Sequence, residues 1–407
     1  MLGLLFSALP LLALSGTVTA GVLHSPRAAD AFVAGAWYTN WNANQGFPLS
    51  KVSWKKYNTL YYSFVVTTPS VHELSLDGSD PKLLIQFVSE AKKNGVSPQI
   101  AIGGWDGSRW FSSNVNSAEN RTAFVKTVVD FAEKYQVDGI NWDWEAPNDQ
   151  GIGSNTISPN DTSNFLAFLQ ELRKNPAGAK LVLSAAVGGA PFFDSHGKPS
   201  TNVSGFAKVF DYIAVMNYNI WGSWSSKVGP NAPLNDACAA KDNQDGSAVA
   251  ALKLWTAAGM PANKIVLGVA SYGHSFSVLP KDAFVPGSTT QLRPYPTFNA
   301  SKQPSGDKWN GAGGDWDFWG LIDGGFLTPQ GMPAKGIYHR YDACSQTPYV
   351  YNKKTEVMVS FDNAQSFAAK GNYIKKAGLR GFAMWEAGGD RKDILLNSIR
   401  STSGVHK

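Results

Sequence analysis

Charged residues are scarce in this sequence: Lys, Arg, Asp and Glu together make up 16% of its 407 residues. The formal net charge is only +5, and the basic residues are scattered along the chain rather than gathered in runs. A nucleic-acid-binding surface needs a concentrated basic patch. We therefore predict that nucleic acid is not a partner of this protein.

Cysteine and histidine are also sparse, with two and six residues. The sequence has neither the C-x-x-C nor the H-x-x-x-H spacing that is typical of bound transition metals. We therefore predict no metal site, and nothing in the sequence implies another cofactor. The two cysteines, Cys238 and Cys344, are expected to pair in an oxidising compartment, and two buried free thiols are the alternative.

Long hydrophobic runs are missing, and no segment is long enough to span a bilayer. The first twenty residues contain an apolar stretch that is interrupted at Ser7 and Pro10 and ends in a small-x-small pattern at 18–20. This pattern predicts a signal peptide over 1–20 and a secreted, extracellular protein without a membrane partner. Four Asn-x-Ser/Thr sequons agree with export and are candidate glycosylation sites: Asn120, Asn160, Asn202 and Asn299.

What the sequence does contain is an alternation of short apolar runs with amphipathic helical segments. Eight runs are predicted strands: "FVAGAWY", "YNTLYYSFVV", "PQIAIGG", "VDGINWDWE", "KLVLSAAVGG", "FDYIAVMNY", "KIVLGVASYG" and "LRGFAMW". One predicted helix begins at Pro81 with Asp80 as its N-cap, and others cover 117–135, 161–174, 247–257 and 362–376. Eight strands with interleaved helices favour an α/β fold, a (β/α)8 TIM barrel.

The alternation fails between about 278 and 356, where the sequence is rich in Gly, Pro and aromatic residues and has no helical period. We interpret this stretch as an insertion between strands seven and eight. Barrel strands 1–7 are then expected over 30–277, and strand 8 with the final helices over 357–400.

One stretch within the fourth predicted strand, "VDGINWDWEAPND", places Asn141, Asp143 and Glu145 at every second position. Successive strand residues point to opposite faces, so these three polar side chains should share one face. A solvated edge strand is one interpretation. The intervening Trp142 and Trp144 make it less favourable, because they should pack in the core and leave the polar face lining an interior or a cavity.

With this stretch, five motifs in order make the chain resemble the glycoside hydrolase family 18 chitinases over essentially all of its mature sequence. "DGINWDWE" matches the family's D-G-x-D-x-D-x-E at the end of strand four, and "AIGGW" matches its S-x-G-G on strand three. "MNYN" matches M-x-Y-D on strand six, while "SYGHSF" and "GFAMW" fall at the family's motifs on strands seven and eight. The resemblance implies that the insertion is a small α+β domain beside the substrate groove.

The sequence departs from the family pattern at four motif positions. Asn141 replaces the first Asp of the acidic motif, and Asn219 replaces the Asp of M-x-Y-D. Ala101 replaces a Ser, and His274 stands where many relatives have Arg. The acid position itself is kept as Glu145. With two amides in place of acids, we expect less negative surroundings and a lower pKa for Glu145 than in relatives that have both acids, and therefore a preference for acidic conditions.

Most glycosidases place two carboxyl groups on opposite sides of the scissile bond. Two residues along one strand separate Asp143 and Glu145 by only roughly 6.6–6.8 Å at the backbone, on the same face. The resemblance implies a substrate-assisted mechanism instead, in which Glu145 is the acid and then the base. Asp143 would accept a hydrogen bond from the substrate acetamido N–H, Tyr218 would donate to its carbonyl, and Asn141 would orient Asp143.

The resemblance also implies a set of residues that line the substrate cleft, with Trp385 as the floor beneath the distorted sugar. The predicted lining residues are Trp37, Phe64, Gly104, Trp105, Met216, Asn219, Tyr272 and Trp385. For each of them, plain core packing is the alternative.

We therefore expect a secreted, monomeric chitinase that hydrolyses the β-1,4 bonds between N-acetylglucosamine units of chitin or chitooligosaccharides. One alternative is an endo-β-N-acetylglucosaminidase on N-glycans, but a groove with a second wall suits a long linear chain better. Another is a non-hydrolytic chitin-binding lectin, which the presence of Glu145 disfavours. A disulfide between Cys238 and Cys344 would tie the loop after strand six to the insertion.

Overall fold

The computed structural model describes residues 31–405, so the predicted signal peptide at 1–20 lies outside the described residues. The strands in this range are β1 Val33–Thr39, β2 Thr59–Thr67, β3 Leu74–Ser75, β4 Ser97–Gly103, β5 Gly139–Asp143, β6 Val182–Val187, β7 Tyr212–Val215, β8 Ile265–Ala270, β9 Tyr272–Ser277, β10 Asp315–Asp317, β11 Tyr338–Asp342, β12 Thr347–Asn352, β13 Val357–Ser360 and β14 Gly381–Trp385.

Within the described chain, eight parallel strands form the barrel in the order β1, β2, β4, β5, β6, β7, β8 and β14. The first strand pairs with both β2 and β14, which closes the sheet. The predicted TIM barrel is therefore confirmed. In such barrels the carboxyl ends of all strands meet at one face, and this face carries the functional residues.

The helices of the described chain are α1 Pro81–Lys93, α2 Phe111–Val115, α3 Ala118–Tyr135, α4 Asp161–Lys174, α5 Ser204–Val209, α6 Ala248–Ala257, α7 Pro280–Ala283, α8 Phe318–Asp323, α9 Ala364–Ala377 and α10 Ile394–Thr402. The predicted start at Pro81 is confirmed, because the Asp80 side chain accepts a hydrogen bond from the Lys82 N–H at 2.8 Å. This cap satisfies one of the free backbone donors of the first turn.

The barrel strands are buried on both faces, as the near-continuous apolar runs predicted. Outward-facing residues form one large core with the surrounding helices. Inward-facing residues form a second, smaller cluster inside the barrel: Val33, Trp37, Tyr61, Ala101, Ala186, Tyr212, Ala214, Val266 and Ala383. The barrel interior is therefore filled by side chains.

The insertion contains an antiparallel sheet in the order β10, β9, β13, β12, β11, together with α7 and α8. Its strands run from Tyr272 to Ser360, so the sheet extends beyond the predicted 278–356 at both ends. The predicted single strand "KIVLGVASYG" is in fact two strands. Only Ser271 separates β8 in the barrel from β9 in the insertion, and both strands are fully buried. The apolar pattern therefore shows no break where the chain changes sheets.

The predicted disulfide between Cys238 and Cys344 is present, with a Cα–Cα distance of 5.7 Å. Cys238 lies in the loop between β7 and α6, and Cys344 lies in the turn between β11 and β12. The bond therefore joins a barrel loop to the insertion, as expected. None of the described helices is both long and apolar enough to cross a membrane.

The four sequons differ in accessibility. Asn160, Asn202 and Asn299 are exposed, whereas Asn120 is half-buried in the first turn of α3. The Asn120 amide nitrogen also donates hydrogen bonds to the Ser113 carbonyl oxygen at 2.8 Å and to Asn116 Oδ1 at 3.0 Å.

Candidate active site

Strand β5 positions the acidic motif. Its residues alternate as the two-residue period predicted: Trp142 packs outward against Phe124 and Phe168, while Asn141 and Asp143 point into the barrel. Trp144, just beyond the strand, is also buried in the outer core. The predicted core packing of both tryptophans is therefore confirmed.

Asn141 is fully buried, and its amide is held by the barrel interior. Its Oδ1 accepts from Trp37 Nε1 at 3.1 Å, and its Nδ2 donates to Ser184 Oγ at 2.9 Å. Among the described residues, no hydrogen bond joins the Asn141 and Asp143 side chains. Asn141 thus braces strands β1, β5 and β6 below the site, and the structure offers no direct contact for its predicted orientation of Asp143.

Asp143 ends β5 and is only 3% exposed. Its Oδ1 accepts no hydrogen bond from any described residue. Burial, followed by the negative charge of Glu145, raises the pKa of Asp143 well above its usual range. A buried acceptor without a partner is costly, so this oxygen is well suited to accept a hydrogen bond from a ligand.

Glu145 lies two residues beyond the end of the strand and is half-buried. Burial, followed by the negative charge of Asp106, raises the pKa of Glu145 to about 7. Burial raises the pKa because an apolar environment disfavours the charged form of a carboxyl group. Asp106 was missed by the sequence reasoning, which considered only the family's motif positions.

The loop after β4 holds the acidic segment in place through Ser108. The Ser108 hydroxyl lies 2.8 Å from the Gly104 carbonyl oxygen and 2.9 Å from the Asp143 carbonyl oxygen, and it accepts the Glu145 N–H at 3.1 Å. Gly103 and Gly104 leave no room for a side chain. A Cβ on Gly103 would lie 2.2 Å from the Asp143 carbonyl oxygen, and a Cβ on Gly104 would lie 2.8 Å from the Phe64 ring. Both glycines have positive φ.

Two tyrosines near the carboxyl ends of β7 and β8 lie close to the carboxyl pair. The rings of Tyr218 and Tyr272 meet edge to face at 6.1 Å between centroids. Burial is the largest cause that raises the pKa of both phenols well above the usual value. The negative charge of Glu145 also raises both pKa values. Both phenols therefore remain protonated donors. The Tyr272 hydroxyl donates to Asn219 Oδ1 at 2.6 Å.

Trp385 ends β14 and forms the aromatic floor of the site. It stacks on Phe64 with 5.6 Å between ring centroids and also contacts Trp41 at 6.4 Å. Trp385 and Phe64 are half-buried, so each keeps a surface at the strand ends. Trp37 contacts Trp385 at 6.0 Å but has no exposed surface. Its predicted place in the cleft lining is therefore wrong, since it supports the floor from within the barrel.

The remaining predicted lining residues lie around this floor. Trp105, directly after Gly104, is 53% exposed. Met216 is half-buried and packs with Tyr218, Tyr272 and Trp385. The sequence reasoning missed Trp41 and Trp224, which are 44% and 62% exposed. Each lies in a loop after a barrel strand, and that position was the available signal.

A cavity of about 310 Å³ opens beside the floor, between the barrel and the insertion. Trp41, Trp385 and Glu386 line it from the barrel, and His274 and Asp315 line it from the insertion. Asn219 connects these parts, because its Oδ1 lies 2.9 Å from His274 Nε2 as well as near the Tyr272 hydroxyl.

No group of three or more His, Cys, Asp or Glu side chains within 31–405 is arranged to hold a metal ion. The side chains that meet at the strand ends carry carboxyl, phenol and aromatic groups. A closed (β/α)8 barrel that carries a protonatable carboxyl pair and an aromatic floor at its strand ends has the architecture of a glycoside hydrolase. The chain belongs to glycosyl hydrolases family 18, whose family model matches residues 34–390.

Individual relatives agree with this membership. The chain is 52% identical over 394 residues to a chitinase-like effector of Moniliophthora roreri, covering 94% of this chain and 95% of that protein. It is 49% identical over 389 residues to a chitinase-like effector of Moniliophthora perniciosa, covering 92% of this chain and 88% of that protein. Among solved structures, a chitinase from Rhizomucor miehei is 31% identical, with a TM-score of 0.80 over 90% of this chain and 99% of that chain.

Proposed function

We propose that this protein hydrolyses the β-1,4 bonds between N-acetylglucosamine units of chitin or chitooligosaccharides, with retention and with assistance from the substrate. The observation that carries the proposal is the pair formed by Glu145, whose pKa is raised to about 7, and Asp143, whose buried Oδ1 lacks a partner. A carboxyl group with a pKa near the working pH is suited to general acid catalysis.

The two carboxyl groups have different surroundings and therefore different roles. Glu145 keeps an exposed surface and can reach a leaving oxygen. Asp143 is buried at the strand end below it and is suited to accept the acetamido N–H. The positive oxazolinium that forms would lower the pKa of Asp143 and favour its charged form, which would in turn stabilise the positive charge.

Tyr218 completes the arrangement as a neutral donor. Its burial beside both carboxyl groups keeps the phenol protonated, so it can donate to the acetamido carbonyl oxygen. Fixing that oxygen near the anomeric carbon would contribute through orientation. The sugar would rest on Trp385, since an exposed indole face packs well against the apolar face of a pyranose.

The test of the acid assignment is Glu145→Gln, which keeps the shape of the side chain and removes its proton. Turnover of a chromogenic chitobioside should fall by at least the 10²–10⁴ typical of a lost general acid, while oligosaccharide binding by titration calorimetry remains. Glu133→Gln, an exposed change on α3, is the matched control and should retain full turnover. A Glu145→Gln protein with a tenth of the wild-type rate would refute the assignment.

A second candidate is binding of chitin fragments without hydrolysis. It is favoured by the two relatives at 52% and 49% identity, which are described as chitinase-like effectors rather than chitinases. Turnover by the unmodified protein separates the two candidates: release of chromophore supports hydrolysis, and tight oligosaccharide binding without release supports the binding function.

We also place the protein outside the cell. The disulfide between Cys238 and Cys344 supports this location, because such bonds persist in oxidising compartments. If the chain is glycosylated there, the exposed Asn160, Asn202 and Asn299 are the favoured sites, since the Asn120 amide is held by two hydrogen bonds.

A further inference from the structure

The cavity between barrel and insertion has a negative lining. Among the described residues that line it are Asp315, Asp317 and Glu386, and the same lining includes neither Lys nor Arg. His274 is its basic group, and His274 Nδ1 lies 2.6 Å from Asp315 Oδ1. His274 is thus paired with Asp315, and the described lining holds no other basic side chain beside Asp317 and Glu386.

Asp317 is buried among other carboxyl groups. It is only 7% exposed. Burial raises the pKa of Asp317 well above its usual range, and the negative charges of Glu386, Asp307 and Asp315 add to the effect. The side chain of Glu386 is held by Thr39 and Gly388, so its carboxyl group cannot turn away.

Asp317 also offers a free acceptor to the cavity. Its Oδ2 accepts from Asn310 Nδ2 at 3.3 Å, whereas its Oδ1 accepts no hydrogen bond from any residue in the described chain. Asp317 is more than nine-tenths buried and lines the cavity, so this oxygen can accept a hydrogen bond from a ligand that enters there.

No three of the described carboxyl and imidazole groups converge on one point as the ligands of a metal ion would. The aromatic walls indicate a sugar with a positive charge instead. Trp41 and Trp224 line the same cavity with 44% and 62% of their surfaces exposed. Indole faces pack against pyranose rings and also attract ammonium groups.

We propose that this cavity is a subsite for a glucosamine unit that carries a free, protonated 2-amino group, held by Asp317 and flanked by Trp41 and Trp224. The substrate class would then be partially deacetylated chitin, an inference that rests on the proposed function. The unit at the cleavage point must keep its acetyl group, because Asp143 and Tyr218 act on the acetamide. The preferred substrate therefore has acetylated and deacetylated units at different, fixed positions.

The first test is the sequence of the products. Partially acetylated chitosan is digested with the wild-type protein, and the products are sequenced by mass spectrometry. Glucosamine should be enriched at one fixed distance from the new end, and Asp317→Asn should abolish the enrichment. Asp130→Asn, an exposed change on α3 with the same loss of charge, should leave it intact. A random distribution of glucosamine, or N-acetylglucosamine at every position near the cut, would overturn the proposal.

The second test does not need hydrolysis. Binding of chitosan tetramer and of N-acetylglucosamine tetramer is measured by titration calorimetry on the Glu145→Gln protein. Adding Asp317→Asn should weaken chitosan binding roughly tenfold, the effect of one charge-assisted hydrogen bond, and should change the acetylated tetramer less than twofold. Equal losses for both ligands, or none, would contradict the subsite.

The two tests separate this proposal from the proposed function. If the wild-type protein releases no product from any substrate, the hydrolytic function is wrong, and the calorimetric comparison still decides the subsite. If Asp317→Asn does not fold, the salt dependence of chitosan binding to the wild-type protein decides the subsite. Chitosan binding to the wild-type protein must also weaken with added salt, and an affinity that does not depend on salt would refute a cationic ligand.

Discussion

Glu145 owes its raised pKa first to burial and then to Asp106, an exposed residue on the loop after β4. A general acid works only while it is protonated, so turnover should fall as the pH rises through about 7. Sequence reasoning expected Asn141 and Asn219 to leave Glu145 in less negative surroundings. Asp106 supplies a charge that the family's motifs do not contain.

The contribution of Asp106 can be measured through the pH profile. Removing its charge lowers the pKa of Glu145, so Asp106→Asn should move the alkaline limb of kcat/KM down by roughly half a pH unit. Asp77→Asn, an exposed change of the same kind in another loop, should leave the limb in place. An unchanged or raised limb in Asp106→Asn would show that burial alone sets this pKa.

The aromatic residues show what a sequence can and cannot predict at single positions. Trp37 and Trp385 both lie on barrel strands, yet Trp37 is fully buried and Trp385 keeps an exposed surface. The difference is depth: Trp37 lies within β1, whereas Trp385 is the last residue of β14. The two-residue period predicts which face a side chain occupies, but it does not predict how far below the barrel mouth it lies.

At the scale of elements, the loop after β4 and the end of β5 form one unit. The Ser108 hydroxyl joins the backbone of Gly104, Asp143 and Glu145 and is completely buried. No sequence pattern predicts this contact, because it depends on how two loops from different strands meet. Burying these backbone groups without the hydroxyl would leave them unpaired.

Ser108→Ala should therefore disturb the position of the acid. We expect a lower kcat with a nearly unchanged KM, together with a loss of about 1–3 kcal/mol in the free energy of unfolding. Ser113→Ala, which removes a hydroxyl that donates to the Trp110 carbonyl oxygen on the neighbouring helix, is the control. A Ser108→Ala protein that is less stable but has a normal kcat would show that the contact is structural only.

The strands and most of the helices could be predicted because their apolar periods are regular. Helix α4 has the predicted bounds, and α1 starts at the predicted cap. The boundary between β8 and β9 could not be predicted, since a single residue joins two equally buried strands in different sheets. The cavity beside Trp385 was also beyond prediction, because its walls come from distant parts of the sequence.

At the scale of the whole molecule, the disulfide ties the insertion to the barrel. The bond closes a loop with a sequence separation of 106 residues. A loop of about that length should stabilise the fold by up to about 4–5 kcal/mol through the entropy of the unfolded chain. The double variant Cys238→Ser with Cys344→Ser should lose up to this amount in urea unfolding. A free energy of unfolding equal to that of the wild-type protein would contradict this role.

The central claim is that the carbonyl oxygen of the substrate's own acetamide displaces the leaving oxygen from the anomeric carbon while Glu145 protonates that leaving oxygen. Glu145 then takes a proton from water, which attacks on the face that the leaving group has vacated and breaks the bond to the acetamide oxygen. Both steps invert the centre, so the configuration is kept. Proton NMR of the products during early hydrolysis of N-acetylglucosamine hexamer, recorded before mutarotation, measures this outcome directly. We predict that the newly formed ends appear first as the β-anomer. Ends that appear first as the α-anomer would contradict the mechanism, and a spectrum with no new ends would contradict hydrolysis itself.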